Sequence, residues 1–356
     1  MLTFNPGPSH LSKEIRKAIQ KLGSSDLLSL SHRSKSFTAI CQLALEGLRK
    51  NMHIPDDFRI FFQPSATVAM DTILRNVVHN DSFHFVHGAF SKRFHTTASE
   101  IALNAQSFES PWDNAVPWEK AEIPRSTELI AVTHNETSTG LMWPSQSLAA
   151  LRKAHPTPLL ALDLTSSFGA VHVNWQGADI WFGSVQKCLG LPSGLGFIIV
   201  NPRAFDKAKR QVLKSKGGVA SWQRFDVLAE NIAKFQTVET PNMFAIALLA
   251  ERMQSWEIDK IQMETAFKAS LVYKEQNLWR PYIKNNAWLS PTVMNLLVDD
   301  PVIFHQRAAR KDYILGKGYG NLSDSCIRIA NFPAIKRETL LSLLDALSNI
   351  GSNLLS

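Results

Sequence analysis

Cysteine is scarce in this 356-residue chain: Cys41, Cys188 and Cys326 lie far apart and form no CxxC pair. A full disulfide set is excluded, no metal site is expected, and a reducing compartment, the cytoplasm, is the expected location. Long apolar runs are missing too. The longest are strand-like stretches such as Phe197–Val200, far short of the roughly 18 residues of a membrane span. The opening Met1–Pro8 has neither a basic flank nor a long apolar core, which argues against a signal peptide. There is no Lys/Arg block, no zinc-finger spacing and no aromatic–basic RNA motif. The net charge of +7 therefore points to small anionic substrates rather than nucleic acid. No GxGxxG opens a strand–helix unit. The run Gly316-Lys317-Gly318-Tyr319-Gly320 has the wrong spacing, which removes the dinucleotide fingerprint. Repeats, low-complexity tracts and obvious linkers are also lacking.

What is present is an alternation. Strand-like runs recur at Phe58–Gln63, Phe83–Val86, Leu129–Thr133, Leu159–Leu164, Ala178–Phe182 and Gly196–Val200. Between the first two, Val68, Met70, Ile73, Leu74, Val77 and Val78 follow helical spacing. Such alternation implies an α/β fold, with a mostly parallel sheet flanked by helices and ligands at the carboxyl ends of the strands. The last hundred or so residues read differently. Amphipathic helices are expected over Ala245–Ile261 and Lys336–Ile350, with short strands at Val293–Val298 and Ser325–Ala330, as in a smaller α+β domain.

Three segments carry chemistry. Ala178–Gly196 runs from a hydrophobic strand through Gln186-Lys187 into a glycine-rich turn and a second strand. A lysine at the end of a core strand is a candidate Schiff-base nucleophile, because burial lowers its pKa. A solvated loop lysine is the plain alternative. Asp163 ends the apolar run Leu159–Leu162, 24 residues before Lys187. A carboxylate there suits the acidic partner of a pyridinium nitrogen, and equally a turn or helix-cap aspartate. Pro64-Ser65-Ala66-Thr67 lies between a strand and a helix. Small hydroxyl residues there make an anion site or an ordinary cap.

With these in order, the chain resembles the class V branch of fold-type I pyridoxal-phosphate (PLP) enzymes, and within it the phosphoserine aminotransferases most of all. The resemblance spans nearly the whole length. It is carried by Phe4-Asn5-Pro6-Gly7-Pro8, Ser31-His32-Arg33-Ser34-Lys35-Ser36-Phe37, His87-Gly88-Ala89-Phe90-Ser91 and His134-Asn135-Glu136-Thr137, and further on by Gln186-Lys187, Thr240-Pro241-Asn242-Met243-Phe244-Ala245 and Arg328-Ile329-Ala330. It implies a large PLP-binding domain over residues 13–245 and a small domain from residues 1–12 and 246–356.

The resemblance also implies roles. Lys187 holds the cofactor as a Schiff base, Asp163 pairs with its ring nitrogen, and Phe90 stacks where the family usually has Trp. Thr137 binds near the phenolic oxygen. Ala66, Thr67, Gln186 and, from a second subunit, Thr240 form the phosphate cup of a homodimer with shared sites. Glu239 stands where the family places Asn, and is expected either to point away or to mark a shift in the match. Arg328 takes the substrate α-carboxylate, and His32 and Arg33 its phosphate or side-chain acid. A His-Arg pair of the family is absent at Lys317-Gly318-Tyr319, where Lys317 is the expected replacement for part of the charge. The implied activity is phosphoserine:2-oxoglutarate transamination in serine biosynthesis, with an alanine– or serine–glyoxylate type as the alternative. A cysteine desulfurase matches less well, since Phe90 holds the stacking position and Cys326 sits in an apolar strand. A non-enzymatic module would require loss of the lysine or its acid, and both are present.

Overall fold

The computed structural model of the chain describes residues 1–101, 103–214 and 221–348. Seven strands form the larger sheet. In spatial order they are Arg59–Gln63, Gly196–Val200, Ile180–Ser184, Leu159–Asp163, Leu129–Thr133, Asp81–Val86 and Asn104–Glu109. Gly196–Val200 runs antiparallel to both neighbours, and the remaining pairs are parallel.

Strand composition explains why this sheet lies inside. Side chains alternate between faces, so a strand covered on both sides must be apolar at successive positions. Ile180 and Phe182 join Leu159, Ala161, Leu129 and Ala131 in one apolar cluster, while Trp181 joins Leu160, Leu162, Ile130 and Val132 in another. Helices Ala66–Val77, Ala89–Glu100, Pro202–Lys214 and Phe225–Ile232 cover the first face, and Lys35–Asn51 and Met243–Met253 the second.

The smaller sheet has the order Leu2–Phe4, Tyr313–Lys317, Cys326–Ala330, Val293–Leu297 and Arg280–Pro281. It is antiparallel except where Leu2–Phe4 pairs with Tyr313–Lys317. Phe304, Ala308, Leu340 and Leu343 pack on it around Phe4, Met294, Leu296 and Ile329. Burial of Phe4 anchors the segment that follows, and the Ser9 N–H donates to Gln186 O at 2.7 Å. Asn5–Pro8 is thereby delivered to the edge of the larger sheet.

Some expectations shift. The strand expected at Ala178–Phe182 occupies Ile180–Ser184, because the Asp179 carboxylate is engaged by Arg152, Arg203 and the Leu160 N–H. Asn104–Glu109 gave no strand signal, since an edge strand with half-exposed faces stays polar. The single helix expected over Ala245–Ile261 is two, Met243–Met253 and Ile258–Lys274. The break lets Trp256 turn into the first core, while Val272 of the second helix packs into the small-sheet core. The final helix runs over Arg337–Ser348, and Ile350 lies outside the described residues. No helix among the described residues is long and apolar enough to cross a membrane.

Candidate active site

The parallel strands bring their carboxyl ends to one edge, where open α/β sheets bind ligands. Ser65–Thr67 follows Arg59–Gln63, and Ala89 and Phe90 follow Asp81–Val86. Thr137 comes shortly after Leu129–Thr133, Asp163 ends its strand, and Lys187 stands just beyond Ile180–Ser184. With Gln186, Arg328 of the smaller sheet and Asn5–Pro8, these residues line a cavity of about 730 Å³.

Lys187 is 6% exposed. Its Nζ donates to Thr137 Oγ1 at 2.6 Å and Ser166 Oγ at 2.9 Å, and lies 5.0 Å from the centre of the Phe90 ring. None of the ion pairs found among the described residues includes it. The loop from Asn5 closes over its stem: Gly7 has φ +129°, and a Cβ there would stand 3.3 Å from Lys187 Cε. Burial pulls the lysine pKa down to about 8, against the opposing charges of Asp163 and Glu136. Such an amine is partly neutral near physiological pH, as a nucleophile toward a carbonyl must be.

Asp163 is buried, and its Oδ1 accepts the Thr165 N–H at 2.8 Å and the Thr165 hydroxyl at 2.5 Å. Oδ2 takes no hydrogen bond among the described residues. Burial raises the carboxyl pKa, while the Thr165 bonds and the Lys187 charge pull it back. A cation set beside the free oxygen would favour the ionised form.

Sequence reasoning missed Glu136, which has 0% exposure and, among the described residues, no ion pair. Its carboxylate sits at the start of helix Ala89–Glu100. It accepts the N–H groups of Phe90 (3.2 Å), Ser91 (2.9 Å) and Ser138 (3.1 Å) and the hydroxyls of Ser91 (3.1 Å) and Ser138 (2.6 Å). The unsatisfied N–H groups and the helix dipole stabilise the charge, and the charge holds the helix end that carries Phe90. Gly88 leaves the room, because a Cβ there would lie 2.2 Å from Glu136 Cγ. The one signal in the sequence was a carboxylate inside His134–Thr137. Glu136→Gln sets amide hydrogens against these donors and is expected to cost about 2 kcal/mol of stability. Denaturant unfolding measures it, and an unmoved midpoint would show that a neutral partner suffices.

Arg328 Nε donates to Lys317 O at 2.6 Å and Nη1 to Thr137 O at 3.1 Å. Burial lowers its pKa, opposed by Tyr319 and Glu136. Lys317 does not supply the expected charge. Its side chain is exposed and off the cavity, and Tyr319 lines the wall instead. The cause is strand alternation: Lys317 ends its strand facing solvent, and the turn after it brings Tyr319 inward.

The Ala66 N–H donates to Ser184 Oγ at 2.7 Å, so this group is already engaged. Thr67 and Gln186 line the cavity. His32, Arg33 and Thr240 do not. Thr240 Oγ1 lies 3.3 Å from His32 Nδ1, and Arg33 donates to Gln236 Oε1 at 2.8 Å and Val238 O at 3.3 Å. Glu239 is exposed beside Thr240, on a separate hollow. These residues form a second group on the same chain, away from Lys187.

The family model for class-V aminotransferases matches residues 1–280. The chain belongs to the class-V aminotransferase family. A phosphoserine aminotransferase from Rhodococcus jostii is 26% identical over 363 residues, covering 99% of this chain and 95% of its own. The crystal structure of a phosphoserine aminotransferase from Cytophaga hutchinsonii superposes with a TM-score of 0.95 at 31% identity, covering 98% of this chain and 99% of that one. An aspartate aminotransferase from Thermus thermophilus, at 21% identity and a TM-score of 0.84, shares the fold. The architecture is thus that of the fold-type I enzymes. Family membership makes the chain a transaminase, acting on an amino acid and an oxo acid and implying the use of PLP.

Proposed function

We propose that this transaminase uses pyridoxal phosphate to exchange the amino group of L-phosphoserine with 2-oxoglutarate, giving 3-phosphohydroxypyruvate and glutamate in serine biosynthesis. The observation that carries the PLP reading is the buried Lys187 amine, in no ion pair among the described residues, beside the Phe90 ring and one strand from a buried carboxylate. The substrate rests on the likeness to phosphoserine aminotransferases across the whole chain.

The residues suit the cofactor. When bound, pyridoxal phosphate supplies an electron sink that eases loss of the Cα proton. In this reading Lys187 attaches the group covalently and then moves that proton. Asp163 pairs through Oδ2 with the ring nitrogen, Phe90 covers one face, and Thr137 binds near the phenolic oxygen. The Thr67 N–H, the Gln186 amide and Ser184 hold the phosphate. Ala66 contributes by occupying an Oγ lone pair of Ser184, which leaves the hydroxyl hydrogen for an anion. Arg328 takes the α-carboxylate in a two-point fork.

Thr240, His32 and Arg33 fit this scheme in a homodimer, where one subunit's group reaches the other's cavity. Sedimentation is expected to give a dimer at assay concentrations, and a fully active monomer would overturn the shared site. The domain division at residues 13–245, with 1–12 and 246–356 forming the small domain, belongs to the same proposal. So does a cytoplasmic location, supported by three free, buried cysteines.

Mixing the PLP-loaded protein with single amino acids tests the substrate. L-phosphoserine is expected to change the visible spectrum at the lowest concentration. Tyr319 in place of a cation favours one second reading, an alanine– or serine–glyoxylate transaminase. It prevails if alanine or serine reacts and phosphoserine does not.

A further inference from the structure

We propose that Tyr319 is a positioning residue that sets the orientation in which Arg328 meets the carboxylate common to amino donor and oxo-acid acceptor, an inference that rests on the transaminase reading above. Both substrates carry an α-carboxylate beside the reacting carbon. Of the two arginines on the cavity wall, Arg93 is exposed and Arg328 half-buried. Arg328 has five N–H donors, and two are engaged by Lys317 O and Thr137 O. These two bonds fix the guanidinium in its plane, while a tilt about the line joining them remains open.

The Tyr319 ring opposes that tilt. Its centre lies 5.6 Å from Arg328 Cζ and 6.0 Å from the Phe90 ring, with a 54° angle between the two rings. Lys187 Nζ in turn lies 5.0 Å from the centre of the Phe90 ring. Lysine, phenyl, phenol and guanidinium are thus joined by successive contacts. They link the group that binds the carboxylate to the amine next to the reacting carbon. The phenol's backbone is held as well. Gly318 allows the turn, because a Cβ there would lie 2.0 Å from Leu322 O, and the Leu322 N–H donates back to Tyr319 O at 3.1 Å. Tyr319 is 41% exposed, so its role is not that of a core residue whose loss unfolds the sheet.

The ring-on-guanidinium contact predicts a binding effect. Tyr319→Ala is expected to raise KM for both the amino donor and the oxo acid roughly five- to thirtyfold, with kcat changed less than about threefold. Tyr319→Phe, which keeps the ring, returns both KM values to within about twofold of the parent. In an Arg328→Ala background, Tyr319→Ala adds nothing, since the residue acts through that arginine. Calorimetric titration of the PLP-loaded protein with 2-oxoglutarate reads the same contact without turnover. A chain that rejects phosphoserine therefore still tests Tyr319, and the half-reaction screen tests the substrate separately. The inference is overturned if Tyr319→Ala leaves both KM and the 2-oxoglutarate Kd unchanged, if it weakens binding equally with and without Arg328, or if Tyr319→Phe is as damaged as the alanine variant.

Discussion

Lys187→Ala is expected to lower transamination by at least about 10⁴-fold and to leave no cofactor trapped on the protein after borohydride reduction. The amine is placed by the end of Ile180–Ser184, held by Thr137 and Ser166, and covered by Asn5–Pro8. Lys268 resembles it electrostatically, with burial also pulling its pKa to about 8. Yet Lys268 donates to Ile335 O at 2.6 Å and lines a different hollow. Retained turnover, or a reduced adduct mapped to Lys268, would sink the assignment. The pH dependence follows from the direction of the shift. Burial favours the neutral amine, so the reactive fraction grows as pH rises through about 8 and levels off above it. PLP attachment to the apo-protein, quenched with borohydride across pH 6 to 10, should trace that rise. A midpoint near the ordinary lysine value of about 10.4 would show an amine open to water.

Asp163→Asn is expected to slow the half-reaction roughly 10³-fold while the cofactor still binds. The amide keeps the shape and can still accept the Thr165 N–H and hydroxyl. Only the charge is lost, and with it the proposed ion pair to the ring nitrogen. Among the described residues lining the cavity, Asp163 is the one carboxylate. Glu136 already accepts three N–H groups and two hydroxyls at its helix end. A second reading accompanies the rate. Asp163 holds the Lys187 pKa up, so Asn at 163 should move the lysine midpoint down. A rate within tenfold of the parent, with the midpoint unmoved, would remove Asp163 from both roles.

Much of the site was visible in one dimension because each piece sits at the end of a strong local signal. Asp163 and Lys187 close or follow runs of consecutive apolar residues, and such runs in a doubly covered sheet put the next polar side chain at the carboxyl edge. The strands Leu129–Thr133 and Gly196–Val200 were legible for the same reason. Asn104–Glu109 was not, since an edge strand need not be apolar. Ala245–Ile261 read as one amphipathic helix because its period continues through the break. Only packing shows that Trp256 and Val272 enter different cores.

The sequence by itself determined the α/β class, the order of the chemistry-bearing segments and the place of the two residues, Asp163 and Lys187, proposed to carry the reaction. Those depend on hydrophobic period and on a residue's place relative to its own strand, which are local properties. The tertiary structure decided what meets across distance. It set Glu136 under Phe90 and used the Ala66 N–H on Ser184. It turned Lys317 outward and Tyr319 inward. It kept His32, Arg33 and Thr240 away from the Lys187 of their own chain. Each of these is settled by the register, turns and packing of segments far apart in the chain, and no window of sequence contains both sides of such a contact.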